Sequence, residues 1–299
     1  VRFTNLFLRV VSSFVFLPFL VLIAWLGGFY YLVLIEIGVW LGAREFFNIL
    51  EKRGLKPYKK LGIIAALLLV WTSFFASHLF TFFVLTMLFF IVSTVELTRR
   101  SLDRAIYHIS ATLFGVFYVG WLMSHLILLR QLPVFIFYGE IMSELKNFHF
   151  VYFHPYKLFS KEYLTGTLYT LLPFILAWTN DTGAYFAGKK FGKHKMFERI
   201  SPGKSWEGVV GGGVFCLFGI IVVKIWFAPW LKWVDCFFLL ILGVGGAVCG
   251  DLVESLLKRD AKIKDAGNVI PGHGGFLDRF DSVLFIAPLV YYYLRFVVL

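Results

Sequence analysis

The stretch from Gly250 to Ser282 reads GDLVESLLKRDAKIKDAGNVIPGHGGFLDRFDS and interrupts an otherwise apolar sequence. It sets carboxylates at Asp251, Glu254, Asp260, Asp265, Asp278 and Asp281 against basic residues at Lys258, Arg259, Lys262, Lys264 and Arg279. Asp251 ends a run from Val234 to Gly250 whose only earlier charge is Asp235. A carboxylate at the centre of a membrane helix costs roughly 2.5 to 3.5 kcal/mol, so it is kept where it meets a partner, water or a metal. On a helix, Asp251, Glu254, Ser255 and Lys258 share one face. Asp278 and Asp281 are also three apart, so on a helix their carboxylates point the same way, and Asp251 opposite them would complete an oxygen-rich pocket. Such a pocket suits Mg²⁺, which binds carboxylate oxygens and takes much of its shell from water and substrate phosphates. A solvated loop of mutually paired charges would look similar in composition. The PGHGG run argues against that reading, because glycines let backbone amides approach an anion closely.

A second polar island, WTNDTGAYFAGKKFGKHKMFERISPGKSWEG, spans Trp178 to Gly208. Asp181 lies in an apolar helical pattern and would face lipid unless it faced a site. Lys189, Lys190, Lys193 and Lys195 follow it and are equally explained by membrane topology. Gly203-Lys204-Ser205 looks like the end of a phosphate-binding P-loop, but the glycine required five residues before Gly203 is replaced by Glu198, which excludes that motif. Ser201 and Pro202 read instead as the cap and first residue of a helix, whose positive end would lie near any phosphate.

These residues resemble the phosphatidate cytidylyltransferases, or CDP-diacylglycerol synthases. The family signature is matched by Ser255, Lys258, Arg259, Lys264, Asp265, Gly267, Pro271, His273, Gly274, Gly275, Asp278, Arg279 and Asp281. The upstream island is similar to a second family motif, with Gly203 where lysine is common and Ser205 in place of threonine. The resemblance covers about residues 178 to 282, and the N-terminal half matches mainly in hydropathy.

The elements that must position these residues are membrane helices. The chain has 299 residues, 59% of them hydrophobic and 20% aromatic, with a mean hydropathy of +0.79. Soluble domains are nearer 45 to 50% apolar. The net charge of +11 does not indicate a nucleic-acid binder, because the basic residues are scattered between apolar runs. Cys216, Cys236 and Cys249 form neither a disulfide framework nor a zinc pattern and read as small hydrophobes. Hydropathy predicts an all-α polytopic membrane protein with about nine spans, near 10–26, 29–43, 61–77, 79–97, 106–129, 163–186, 208–228, 234–257 and 282–298. The first is read as a retained helix, since no small-residue cleavage site follows it. The segment 130–162 carries no convincing span, and His149 and His154 within it read as part of an interfacial aromatic belt. Residues 1–162 would then form an N-terminal set of helices and 163–299 a C-terminal catalytic set. On this topology 22 lysines and arginines fall on one side and 7 on the other. The positive-inside rule makes the first side cytoplasmic, which puts the N-terminus and both islands on the inner side of the cytoplasmic membrane and the C-terminus outside.

The resemblance implies transfer of a cytidylyl group from CTP to phosphatidate, releasing pyrophosphate and giving CDP-diacylglycerol. The lipid phosphate is itself the nucleophile, so the site has only to bring two polyanions into line with cations. On that reading Asp251, Asp278 and Asp281 hold Mg²⁺, in two metal positions, and Asp181 contributes to nucleotide or metal binding. Lys258, Arg259, Lys204 and Arg279 contact phosphates, while Ser201, Ser205 and His273 hydrogen-bond nucleotide or pyrophosphate. The family's dimeric habit implies a homodimer. Two rival readings are a CTP-dependent lipid kinase, which would release CDP, and an ion transporter, which should spread its acids through the bilayer depth rather than cluster them.

Overall fold

A computed structural model describes residues 16–99, 103–133, 161–267 and 274–299. The chain is helical there: α1 Phe16–Leu26, α2 Gly28–Lys52, α3 Lys59–Phe74, α4 His78–Leu97, α5 Ala105–Pro133, α6 Lys161–Phe191, α7 Trp206–Trp226, α8 Trp233–Asp260 and α9 Leu277–Val298. A short antiparallel hairpin, β1 Lys195–Phe197 and β2 Ser201–Ser205, is inserted between α6 and α7, with Lys195 opposite Ser205 and Phe197 opposite Ser201. It is the one departure from the all-α expectation among the described residues.

The expectation of nine spans is corrected to five. Among the described residues, only α4, α5, α7, α8 and α9 are long and apolar enough to cross a bilayer. The region of α1 that is described is short. The helix α2 carries Glu36, Arg44 and Glu45 within one bilayer length. At 16 residues α3 reaches only about 24 Å, short of a hydrocarbon core of about 30 Å. In α6, polar Thr165, Thr167, Thr170, Thr179 and Asn180 dilute the apolar run. Thr167, Thr170 and Asn180 are buried, so α6 turns polar groups toward protein rather than lipid.

Close approach of small residues sets how the helices pack. In α7 a Cβ on Gly211 would meet the Ala187 Cβ at 2.1 Å, and one on Gly212 would meet Asn180 Oδ1 at 2.5 Å, so α7 lies directly on α6. This is how membrane helices gain packing without a hydrophobic drive between them. In α8 the same role falls to Gly246 against Ile286 and Gly250 against the Asp281 carbonyl of α9. Outward faces bear Phe82, Phe90, Val214, Phe218 and Phe237, as a lipid-facing surface requires.

Polar ties hold the N-terminal half. Glu96 of α4 accepts from the Tyr58 hydroxyl at 2.7 Å, Arg99 donates to that hydroxyl at 2.9 Å, and His108 of α5 lies 3.1 Å from Glu96. At the other end of α8, Asp235 accepts from the Tyr293 hydroxyl at 2.8 Å and from the Lys232 amide at 2.8 Å.

Candidate active site

Gly250 is where the site begins. A side chain there would lie 2.3 Å from the Asp281 carbonyl, so only glycine allows α8 and α9 to meet at this level. The next residue along α8 is Asp251, and one turn further is Glu254. Their carboxylate oxygens and that of Asp281 all lie within 4.8 Å of one another. Three hard oxygen donors from two helices suit a hard divalent cation. A second observation supports that fit. Glu254 is 2% exposed and its Oε1 has no hydrogen-bond partner, which leaves a buried carboxyl oxygen with unused capacity beside the other two carboxylates.

Two lysines balance the acids. Lys258, one turn beyond Glu254 on the same face, donates to Glu254 Oε2 at 2.5 Å and to Asp278 Oδ1 at 2.6 Å. Lys204, carried on β2, lies 2.9 Å from Asp251 Oδ2 and donates to the Val248 carbonyl at 3.2 Å. The hairpin thus brings the second polar island onto α8. Ser255 donates to Asp251 at 3.1 Å. Asp278 also accepts from the amides of Gly275 at 2.9 Å and Ala266 at 3.1 Å, and Asp281 accepts from the Ser282 amide at 2.6 Å. Asp181 of α6 sits within electrostatic reach of Asp251, Asp281 and Lys204, and Asn180 donates to it at 3.3 Å.

Asp251 and Asp281, two of the three aspartates expected to form the pocket, come together, joined by Glu254, whose place on the Asp251 face was legible although no role followed from it. Asp278 lies one step away, engaged by Lys258 and two amides. Arg259 is exposed and donates to the Ile200 carbonyl at 3.4 Å, tying α8 to the hairpin, and Arg279 is exposed on the first turn of α9. The helix start expected at Ser201 is moved: Ser201 to Ser205 form β2, and Ser205 caps α7, its hydroxyl accepting from the Gly208 amide at 3.2 Å. Hairpin closure explains the shift, because Glu207 accepts from the Lys193 and His194 amides at 3.2 Å and pulls the chain back before α7 begins. His273, and the 134–160 segment with His149 and His154, lie outside the described residues.

A model of the cytidylyltransferase family matches residues 7–297. A phosphatidate cytidylyltransferase of Synechocystis is 34% identical over 302 residues, covering 95% of each chain. The chain belongs to the phosphatidate cytidylyltransferase family. Phosphatidate cytidylyltransferase 4, chloroplastic, of Arabidopsis thaliana is 32% identical over 283 residues, 90% of this chain and 68% of that one. A phosphatidate cytidylyltransferase of Staphylococcus aureus is 45% identical over 127 residues, 42% of this chain and 48% of its own. For a phosphatidate cytidylyltransferase, a membrane-bound nucleotidyltransferase, the juxtaposition of three carboxylates, two lysines and apolar helix walls is chemically apt: it sets a charged cluster beside apolar outer faces.

Proposed function

We propose that this chain transfers the cytidylyl group of CTP to phosphatidate at the cluster of Asp251, Glu254 and Asp281, on the cytoplasmic face of the membrane. A phosphate oxygen of phosphatidate attacks the α-phosphorus of CTP. The new bond joins that oxygen to the α-phosphorus, and the bond to the oxygen leading to the β-phosphate breaks, releasing pyrophosphate and leaving CDP-diacylglycerol. The observation that carries this reading is the convergence of the three carboxylates within 4.8 Å, with Lys204 and Lys258 against them.

The chain's own residues have three tasks. Asp251, Glu254 and Asp281 would hold Mg²⁺, with Asp278 and Asp181 at its margin. When bound, that ion neutralises phosphate charge and steadies the α-phosphate against its leaving group. Lys204 and Lys258 supply positive charge where two polyanions must meet, and Arg259 and Arg279 extend it at the exposed rim. Ser205 is buried and accepts from the Gly208 amide, which fixes the start of α7 beside Lys204. Orientation follows from the substrates, since the nucleotide arrives from water and the lipid stays in the bilayer.

The test uses purified protein, phosphatidate and labelled CTP, with and without Mg²⁺. The expected result is Mg²⁺-dependent appearance of label in lipid with release of pyrophosphate. Release of CDP with a phosphorylated lipid would mark a kinase and overturn the reading.

A further inference from the structure

Glu45 is a buried carboxylate with no place in the chemistry above. It belongs to α2, in the half of the chain that carries none of the carboxylate cluster, and is 3% exposed. Its Oε2 accepts from the Leu277 amide at 2.9 Å, a contact across 232 residues. Leu277 is the first residue of α9, the helix that carries Asp278 and Asp281. Helix N-termini leave amides unsatisfied, and a side chain usually supplies the acceptor from the residue just before the helix. Here Phe276 stands at that position and offers none, so a residue of another helix caps α9.

The same carboxylate explains one glycine of the signature and crowds a second. A Cβ on Gly267 would lie 2.4 Å from Glu45 Oε1, and one on Gly275 would lie 2.8 Å from Glu45 Oε2. Gly267 and Gly275 do not have positive φ, so the requirement at these positions is space rather than backbone conformation. The space left at Gly267 is the space Glu45 occupies, and that at Gly275 is shared by Glu45, the Gly267 amide nitrogen at 2.8 Å and Asp278 Oδ2 at 2.9 Å. Asp278 binds the same corner, accepting from the Ala266 and Gly275 amides. The two carboxylates therefore hold Ala266–Gly267 and Gly275–Leu277 between them.

We infer that Glu45 is a positioning residue for cytidylyl transfer, fixing the start of α9 and hence the placement of Asp278 and Asp281, and that it dictates glycine at 267. The inference rests on the cluster being the transfer site. A displacement of about 1 Å in such a centre costs on the order of a hundredfold in rate. Substrate contacts are left in place, so the loss should fall on kcat rather than on KM.

The experiment uses the full chain in lipid nanodiscs. Glu45→Ala should lower kcat by about a hundredfold with little change in KM, on the misplacement argument. It should also speed deuterium uptake across 274–280. Glu45→Gln, which keeps an acceptor oxygen, should recover most of both losses. Should Glu45→Ala not fold, Glu45→Asp, one methylene too short to reach the Leu277 amide, should fold and show the same pair of effects. Gly267→Ala should be costly alone and cost much less beside Glu45→Ala, the coupling expected of two groups in contact. Wild-type kcat in Glu45→Ala or Glu45→Asp, unchanged uptake at 274–280, or strict additivity with Gly267→Ala overturns the inference. If the wild-type protein transfers no cytidylyl group, the proposed function fails instead, and the uptake comparison still decides whether Glu45 holds the start of α9.

Discussion

Replacing Lys258 by methionine tests the charge balance of the site more directly than replacing any acid. Its ammonium lies 2.5 Å from Glu254 and 2.6 Å from Asp278, with the lysine side chain 12% exposed and that of Glu254 2% exposed. Methionine keeps much of the bulk and removes the charge, leaving two carboxylates without their shared counter-ion. Breaking a buried ion pair by deleting one partner costs about 3 to 5 kcal/mol. In a chain of a few hundred residues each kcal/mol shifts the midpoint by a few degrees, so a fall on the order of 10 °C is expected. Thermal unfolding in detergent, followed by tryptophan fluorescence, measures it. Adding Glu254→Gln in the Lys258→Met background removes one of the stranded charges and should return more than half of the loss. A Lys258→Met protein that melts with the wild type, or a Glu254→Gln change that deepens the loss, would refute the pairing argument.

Other outcomes follow from the same geometry. Adding Mg²⁺ should raise the melting temperature of the wild type, and Asp281→Asn should abolish that rise, together with turnover, while leaving a folded protein in metal-free buffer. A rise that survives in Asp281→Asn would remove this residue from the cation site. Gly250→Ala places a methyl 2.3 Å from the Asp281 carbonyl and should cost about 1 to 3 kcal/mol, the usual penalty of overpacking, along with most of the activity. Wild-type activity there would show that the approach of α8 to α9 is not needed. Tyr293→Phe deletes a buried hydrogen bond to Asp235 and should cost about 1 to 3 kcal/mol without altering kcat. A large fall in kcat for that variant would contradict the placement of chemistry at the far end of α8.

Much of the site was legible because its parts are local. Asp251, Glu254, Ser255 and Lys258 share a face by helical spacing, and Lys258 does pair with Glu254 one turn away. The span count was not legible in the same way. α3 is apolar, but its helix is only 16 residues long, an end point that hydropathy does not set, and α6 is diluted by its threonines and Asn180, several of which are buried against protein. The cap of α7 moved from Ser201 to Ser205 because both serines are good caps by type, and only the Glu207 contacts that close the hairpin choose between them. Glu45 carried no local signal at all. Its partner is 232 residues away, and its neighbours in the sequence, Arg44, Phe46 and Phe47, read as an ordinary helix approaching a charged loop.

The arrangement also shows how several acids can be gathered at the end of a membrane bundle at bearable cost. Left unpaired, each carboxylate would cost a few kcal/mol in the bilayer, and four together would consume most of a domain's stability. Here the hairpin brings Lys204 to Asp251, the face of α8 brings Lys258 to Glu254 and Asp278, and amides of Ala266, Gly275 and Ser282 take up oxygens of Asp278 and Asp281. Among the four acids of α8 and α9 gathered here, the buried oxygen left without a partner is Glu254 Oε1. It belongs to the same three-carboxylate cluster that would hold a cation. Positive charge arriving there would meet a buried oxygen without a partner, whereas charge added near Asp278 meets a carboxylate already held by Lys258 and two amides. A cation there would find its unmet oxygen where α8 meets α9, and Gly250 keeps that meeting close.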